Sequence, residues 1–178
     1  IAVLPLNDSI KLLVTQAVTQ LDTILETVSS IRKEMDRIAS SLPEYETVMS
    51  MYGVGETYGP QLIAEIGDVS RFTHREAITA FAGVDPGVNE SGQFKQRSNR
   101  ASKNGSTRLR KTLFQVMSTY LQNKPVNEPV YQFLDRKRAE GKPYLVYMTA
   151  GANKFLRIYY GKVKECLRNL EQSQIEES

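Results

Sequence analysis

Residues 7–42 read NDSIKLLVTQAVTQLDTILETVSSIRKEMDRIASSL, and their apolar positions repeat with alternating spacings of four and three. This spacing predicts one long helix with a coiled-coil seam. Asn7, Asp8 or Ser9 can cap its start, and Pro43 ends it. At a rise of 1.5 Å per residue the helix would be about 50 Å long. The seam comprises Ile10, Val14, Ala17, Leu21, Ile24, Val28, Ile31, Met35, Ile38 and Leu42.

The seam of this helix needs a second helix to cover it, because an isolated helix cannot bury its own apolar stripe. That helix can come from the same chain, from a segment outside it or from a second copy of the protein. A long core helix of a bundle would give the same pattern. We expect homo-oligomerisation, as a dimer or tetramer, through the coiled coil.

Shorter helical patterns follow and predict a mainly α fold. A short helical turn is expected at residues 45–50, and residues 84–100 are expected to form a loop or a short hairpin turned at Ser91-Gly92. We therefore expect a coiled-coil helix at 7–43, a compact helical domain at 44–170 and a frayed polar tail at 171–178. The further helices are predicted at 60–66, 73–81, 107–122, 128–140 and 144–170.

Local signals predict where some of these helices begin and end. Thr73, with Glu76 three residues later, predicts the cap of the helix over 73–81, and Gly83 ends it. His74 then lies in the first turn as a surface residue. Ser102 stands where a cap or a turn before the helix at 107 is needed.

The charge of the chain is unevenly distributed along the sequence. The net charge is only +3, with 23 basic and 20 acidic residues. Residues 1–90 hold 6 basic and 13 acidic side chains, whereas residues 91–127 hold eight basic side chains and no acidic one. Glycine, serine and asparagine are interleaved with these charges, as in a loop that follows a phosphate backbone. A solvated basic face is the alternative; nucleic acid is the favoured partner.

Composition excludes several other classes of protein. The single cysteine, Cys166, rules out an intramolecular disulfide framework and a multi-cysteine zinc site, and indicates a cytoplasmic protein. His74 is the only histidine, so a histidine triad is excluded. No apolar stretch approaches about 18 residues, so no membrane span is expected. The chain begins with Ile1, which suggests a piece of a longer protein.

A glycine turn lies in MYGVGETYGPQLIAEIGDVSRF, residues 51–72. Gly53 and Gly55 flank one hydrophobic residue between two predicted helices, as in a helix-hairpin-helix. There glycine lets backbone N–H groups at a helix start approach a phosphate. A purely structural turn between two helices would have the same sequence. A dinucleotide site is disfavoured, because no strand precedes the turn and the third glycine is missing.

The order of short motifs resembles a known family. YGVGETYGPQLIAEIGDVSRF, FAGVDP, ESG, SKNGSTRLRKTLF, RAEGKP and ANKFLRIYYG follow one another over residues 47–164. This resembles the C-terminal transposase domain of the insertion-sequence one-ten family, the serine-containing DEDD transposases related to Piv DNA invertases. Two positions depart from its pattern: Tyr52 replaces the usual proline before the glycine turn, and Asp85-Pro86-Gly87 replaces a more basic stretch.

The resemblance implies a catalytic serine and several partners. Ser91 in Asn89-Glu90-Ser91-Gly92 matches the family's nucleophile. An N-terminal RuvC-like domain, which these 178 residues do not contain, would supply four acidic ligands for Mg²⁺. No cofactor is expected within the chain itself. Family members also use a structured guide RNA, the bridge RNA, beside DNA.

Ser91 needs help to act as a nucleophile, since a serine hydroxyl is weakly nucleophilic at neutral pH. Guanidinium groups can stabilise the negative charge of a phosphoryl transition state. The alternative hydroxyl is Ser102; Tyr58, Tyr120, Tyr159 and Tyr160 are better explained as core residues. The residues expected to contact nucleic acid are Gly53, Gly55, Lys95, Arg97, Arg100, Lys103, Arg108, Arg110 and Lys111.

Three functions follow from these observations. The first is the serine-bearing part of a DNA transposase or recombinase, inactive without its acidic domain. The second is a non-catalytic module that binds nucleic acid and assembles copies. The third is a coiled-coil scaffold, which would bind no DNA even at low salt.

Overall fold

The computed structural model describes residues 7–85, 90–91, 94–95, 101 and 104–176. Its architecture is mainly α, as predicted. Two very short antiparallel strands, β1 (Glu90–Ser91) and β2 (Phe94–Lys95), pair with each other. A 3-10 turn covers Val69–Arg71. The helices are α1 (Asp8–Ala39), α2 (Tyr45–Met49), α3 (Gly55–Ile66), α4 (Arg75–Ala82), α5 (Thr107–Asn123), α6 (Pro129–Ala139) and α7 (Tyr144–Glu176).

Helix α1 is the predicted long helix, and it leaves most of its apolar seam exposed. Asn7 caps it, with Oδ1 accepting a 2.9 Å hydrogen bond from the Ile10 amide. Only Ala39, near its end, is buried. That end packs on the compact part of the chain, where the Tyr45 hydroxyl donates to Asp36 at 2.8 Å. Ile24, in the middle of the seam, is 58% exposed. The seam therefore finds no covering helix within the described residues.

The hydrophobic core lies where α3, α5 and α7 meet, with α2, α4 and α6 packed around them. Its largest side chains come from all three central helices. Glycine permits one close contact: at Gly151 of α7, an added Cβ would lie 2.8 Å from Met117 Sδ. The largest fully buried residues are Tyr120, Tyr159, Phe155, Leu62, Ile66, Ile78, Leu109, Leu113, Met117, Leu134, Met148 and Leu156.

Helix α3 begins at Gly55, five residues before the predicted start at Pro60. Proline lacks an N–H and clashes with the residue before it, so it usually marks a helix start. Here the preceding residue is Gly59, which has no Cβ to clash. A Cβ at Gly59 would also overlap Met49 Sδ of α2. Packing between α2 and α3 thus favours a helix that continues through the proline.

Two predicted caps are wrong by one and four residues. His74, not Thr73, caps α4, because its Nδ1 accepts the Ala77 amide at 3.2 Å. Ser106, not Ser102, caps α5, since its hydroxyl accepts the Leu109 amide at 3.1 Å; Ser102 lies outside the described residues. In both cases the side chain that caps belongs to the residue directly before the first helical residue.

The predicted frayed tail is also wrong in part. Helix α7 continues through residues 171–176, where a polar composition favoured a loose end. Glutamate and glutamine are good helix formers, and adding residues to an existing helix is far easier than starting one. The polar segment therefore extends α7.

Candidate nucleic-acid interface

The segment that carries Ser91 is closed at its base by backbone contacts. We call residues 85–104 the Ser91 loop. The Ser106 amide donates a 2.7 Å hydrogen bond to the carbonyl oxygen of Phe81, near the end of α4. Gly105 makes this approach possible, because a Cβ there would overlap that carbonyl and lie 2.6 Å from the Gly83 amide nitrogen. A backbone hydrogen bond thus holds together the two chain segments that flank the Ser91 loop.

Two side chains reinforce this closure. Asn153 of α7 donates from Nδ2 to the carbonyl oxygen of Val84 at 3.2 Å. Arg110 of α5 donates from Nη1 to the carbonyl oxygen of Ala82 at 3.1 Å. Val84 itself is buried. Helices α4, α5 and α7 therefore hold the point from which the Ser91 loop leaves the core.

Within the loop, Ser91 belongs to β1, and the pairing with β2 sets its register. Glu90 pairs with Lys95, and Ser91 pairs with Phe94. A short hairpin was one of the two forms predicted for this stretch, and the pairing of β1 with β2 agrees with it. The predicted turn at Ser91-Gly92 is wrong by one residue, because Ser91 is itself a paired strand residue.

The basic residues expected to contact nucleic acid differ in the contacts they make within the chain. Arg108 and Lys111 on α5 are exposed and have no ion-pair partner in the described part of the chain. Arg110 contacts Ala82 and the Thr107 hydroxyl, so its guanidinium holds the loop base. Lys95 is described through its backbone in β2. Arg97, Arg100 and Lys103 lie outside the described residues.

The glycine turn between α2 and α3 has left-handed backbone at both of its glycines. Gly53 and Gly55 have φ of 77° and 53°, values in the left-handed region that favours glycine. Val54 provides no side-chain cap for α3, so the turn leaves the helix start open to solvent. Glu56 lies in that first turn and is exposed. Its carboxylate competes with a phosphate for the same amides and the same positive helix end.

The glycine turn and the Ser91 loop lie at opposite ends of α5. Gly53 packs against Val116 and Tyr120, in the second half of that helix. At the other end, the Ser106 hydroxyl donates to Glu65 at the end of α3, at 3.2 Å. Tyr120 lies thirteen positions after Thr107, which corresponds to about 20 Å of helix. The structure thus separates two features that the sequence treated as one interface.

The tyrosines considered as alternative nucleophiles are core residues, as predicted. Tyr120 and Tyr159 are buried, and their burial raises the pKa of each hydroxyl well above its usual value. Tyr160 donates its hydroxyl to the Phe72 carbonyl oxygen at 3.1 Å, and Tyr58 packs against the core. A tyrosine that is buried and protonated cannot readily attack a phosphate.

The sequence did not predict that Asn153 and Gly105 help to close the base of the Ser91 loop. Asn153 comes 69 residues after its partner Val84, and no local pattern links the two. Gly105 directly precedes Ser106, the cap of α5. Its sequence signal, a glycine directly before a capping serine, was present but did not reveal what lies opposite.

The described residues also bear on membrane insertion and on metal binding. No described helix is long and apolar enough to cross a membrane. Within the same residues, no group of three or more His, Cys, Asp or Glu side chains is arranged to hold a metal ion.

Comparison with known proteins identifies one family. The sequence model described as Transposase IS116/IS110/IS902 family matches residues 45–132, about half of the chain. The match runs from the start of α2 into α6 and includes the glycine turn and the Ser91 loop. No curated protein matches the chain.

Proposed function

Because residues 45–132 of this chain belong to the transposase IS116/IS110/IS902 family, we propose that the chain supplies Ser91 as the nucleophile for DNA strand cleavage and exchange. The match itself supports a transposase of an insertion sequence. The serine chemistry goes further, and rests on the motif around Ser91 and on the loop base that holds it. The partner in this reaction is an acidic RuvC-like domain outside residues 1–178.

In the proposed step, Ser91 Oγ attacks the phosphorus of a DNA phosphodiester. The new P–Oγ bond forms as the bond from phosphorus to one sugar oxygen breaks. The serine proton passes to solvent, and the leaving sugar oxygen takes up a proton from it. Attack of another strand's hydroxyl on the phosphoserine reverses these changes and rejoins DNA without an external energy source, because one phosphodiester replaces another.

The closed loop base is the observation that carries this proposal. The contacts of Ser106, Asn153 and Arg110 hold the base of the Ser91 loop beside the first turns of α5. Arg108 and Lys111 are exposed in those turns, without counter-charges among the described residues. Cations in such positions can bind the non-bridging oxygens of a phosphate and stabilise its transition state.

The metal implied by the family does not fit the described residues of this chain. They contain no cluster of three or more potential ligands. Any Mg²⁺ would belong to the acidic domain, and no step is derived through it.

Two further partners belong to the proposal. The exposed seam of α1 associates with the α1 helices of other copies, because its apolar face has no cover among the described residues. A structured guide RNA shares the basic surface with DNA, since a run of eight basic and no acidic residues over 91–127 attracts either phosphate backbone.

The test of the proposal is a covalent adduct. The protein carrying both parts is incubated with end-labelled duplex that contains an insertion-sequence end, and products are separated after denaturation. We expect a labelled protein–DNA adduct with the natural sequence and with Ser102→Ala, and none with Ser91→Ala. Ser102 is the matched control because it is the other candidate hydroxyl in the same basic stretch.

Other outcomes would lead to different conclusions. An adduct that persists in Ser91→Ala, or that disappears in Ser102→Ala alone, would overturn the assignment of the nucleophile. Salt-sensitive DNA binding without any adduct would leave the chain as a non-catalytic module for binding and assembly.

A further inference from the structure

The turn between α6 and α7 is an exposed surface with an unusual composition. We call residues 138–147 the α6–α7 corner. Each residue from Arg138 to Val146 is exposed, and Tyr147 is partly buried. The corner lies beyond residues 45–132, which match the family. It combines cations, aromatic rings and aliphatic side chains on one solvent-facing bend.

The charges of the corner are mostly uncompensated. Lys137 and Glu140 pair with each other at 2.8 Å, so the one acidic side chain of the corner is already neutralised. Arg138 and Lys142 have no ion-pair partner in the described part of the chain. Residues 138–147 hold two basic side chains and one acidic one, and that carboxylate is paired with Lys137 outside the corner. A polyanion complements such a surface.

The corner carries two tyrosines, of which Tyr144 is exposed and Tyr147 packs partly against the core. Tyr144 and Tyr147 lie edge to face, with centroids 5.4 Å apart and planes at 79°. Tyr144 is 51% exposed. An edge-to-face pair does not cover both faces of its rings, so a ring face remains for a third planar group. Unpaired bases stack on such rings, whereas the bases of a duplex are stacked on one another.

The corner and the base of the Ser91 loop lie on opposite sides of α7. Asn153, which binds the Val84 carbonyl, comes nine residues after Tyr144 on the same helix. Nine residues correspond to about 14 Å along the helix axis and to about two and a half turns. The corner is therefore a second surface, separate from the one at the loop base.

We propose that the α6–α7 corner binds a single-stranded segment of DNA at a surface separate from the Ser91 loop. Tyr144 and Tyr147 stack on its bases, and Arg138 and Lys142 bind its phosphates. This inference rests on the proposed function for the choice of DNA. The two unpaired cations beside the rings favour a nucleic acid over a protein partner, because a neutral protein surface would leave them desolvated without counter-charges.

The experiment measures binding of fluorescein-labelled oligothymidylate of about 12 nucleotides to the chain, a length within the usual range of single-strand sites. Tyr144→Ala should weaken binding about fivefold or more, because loss of one stacking contact has at least that effect. Tyr144→Phe keeps the ring and should bind as the natural sequence does. Val146→Ala, at an exposed aliphatic neighbour, should also bind normally.

The cations give a second, independent readout. The double variant Arg138→Gln and Lys142→Gln should reduce the slope of log affinity against log salt by about 1.4, at about 0.7 for each phosphate on a single strand. Thermal unfolding of every variant should match that of the natural sequence, since the altered side chains are exposed.

The outcomes separate this inference from the proposed function. If the natural chain does not bind oligothymidylate at low salt, the assignment of the corner is wrong, whereas the proposed function is decided by the adduct assay on the protein that carries both parts. If it binds oligothymidylate, and Tyr144→Ala and the double variant bind it unchanged, only the corner is wrong. Loss of self-association in Tyr144→Ala, with unchanged oligothymidylate binding, would assign the corner to a protein contact and overturn the inference. An effect on oligouridylate alone would overturn the assignment to DNA.

Discussion

The backbone amide of Ser106 donates a 2.7 Å hydrogen bond to the carbonyl oxygen of Phe81, and this contact joins two helices across a twenty-residue loop. Phe81 lies in the last turn of α4, and Ser106 caps α5. The same serine therefore ends the Ser91 loop and starts the helix that carries Arg108 and Lys111. The position of the Ser91 loop and the direction of α5 are therefore fixed by the same residue.

Gly105→Ala should open the base of the Ser91 loop. The new Cβ would overlap the Phe81 carbonyl oxygen, and backbone cannot move aside as a side-chain end can. We expect a loss of about 1–3 kcal/mol in the free energy of unfolding, the usual effect of overpacking. Urea unfolding followed by circular dichroism measures it. An unchanged midpoint would mean that the loop base is looser than these contacts indicate.

Gly151→Ala and Gly161→Ala form a matched pair within α7. Alanine favours a helix over glycine by about 0.5–1 kcal/mol at either site. At Gly161 nothing lies within 4 Å of the added Cβ, so this variant should be more stable. At Gly151 the Cβ would lie 2.8 Å from Met117 Sδ and 2.9 Å from Leu134 Cδ1, so that variant should be less stable.

The difference between the two alanine variants isolates the cost of crowding α7 against α5 and α6. We expect about 1–3 kcal/mol from chemical unfolding. Equal stabilisation of both variants would show that Met117 and Leu134 move aside without cost.

Glu76→Gln should make the stability of the protein less dependent on pH in the acidic range. Glu76 of α4 forms an ion pair with Arg157 of α7, in which Nη2 of the arginine lies 3.0 Å from Oε1 of the glutamate. Its own backbone amide, followed by the guanidinium of Arg75 and the charge of Arg157, lowers the pKa of its carboxyl. A lowered pKa in the folded state stabilises the protein above the pKa of the unfolded chain, and this stabilisation is lost as the pH falls through the folded value.

Melting temperatures of the natural chain and Glu76→Gln provide the measurement for this carboxyl. The natural chain should melt higher at pH 7, and the gap should close as the pH falls below about 4.3, the usual pKa of glutamate. A gap that is the same at pH 3 and pH 7 would exclude ionisation of Glu76 as its cause.

Ile24→Glu should abolish association of copies through α1. Ile24 lies on the seam and is 58% exposed, so a charge there disfavours a helix pair without disturbing the core. Leu12→Glu adds the same charge at an exposed position off the seam. Light scattering should show the natural chain and Leu12→Glu as oligomers and Ile24→Glu as a monomer. A monomeric natural chain would contradict the proposed assembly.

Helices were predictable where the apolar spacing is regular and the signals are local. The long helix α1 follows from the heptad pattern, and Asn7, which caps it, was one of three candidates at its start. The starts of α3 and α4 were misplaced, because the contact of Gly59 with Met49 and the orientation of the His74 ring depend on neighbours that the local pattern does not specify.

The chemistry proposed for the candidate site comes from the sequence, whereas its geometry was predictable only in part. The basic run indicated nucleic acid, and the family resemblance, now confirmed over residues 45–132, singled out Ser91. The sequence grouped Arg110 with the free cations, whereas its guanidinium binds the Ala82 carbonyl oxygen. The glycine turn was grouped with the basic loop, whereas α5 separates them.

By itself, the sequence determined the helical class, the apolar seam of α1 and the concentration of positive charge around Ser91, because periodicity and charge are properties of neighbouring residues. Only the tertiary structure decided that Phe81 meets Ser106 and that Asn153 holds Val84. Such contacts depend on how α4, α5 and α7 pack, and packing is a property of shapes brought together from distant parts of the chain.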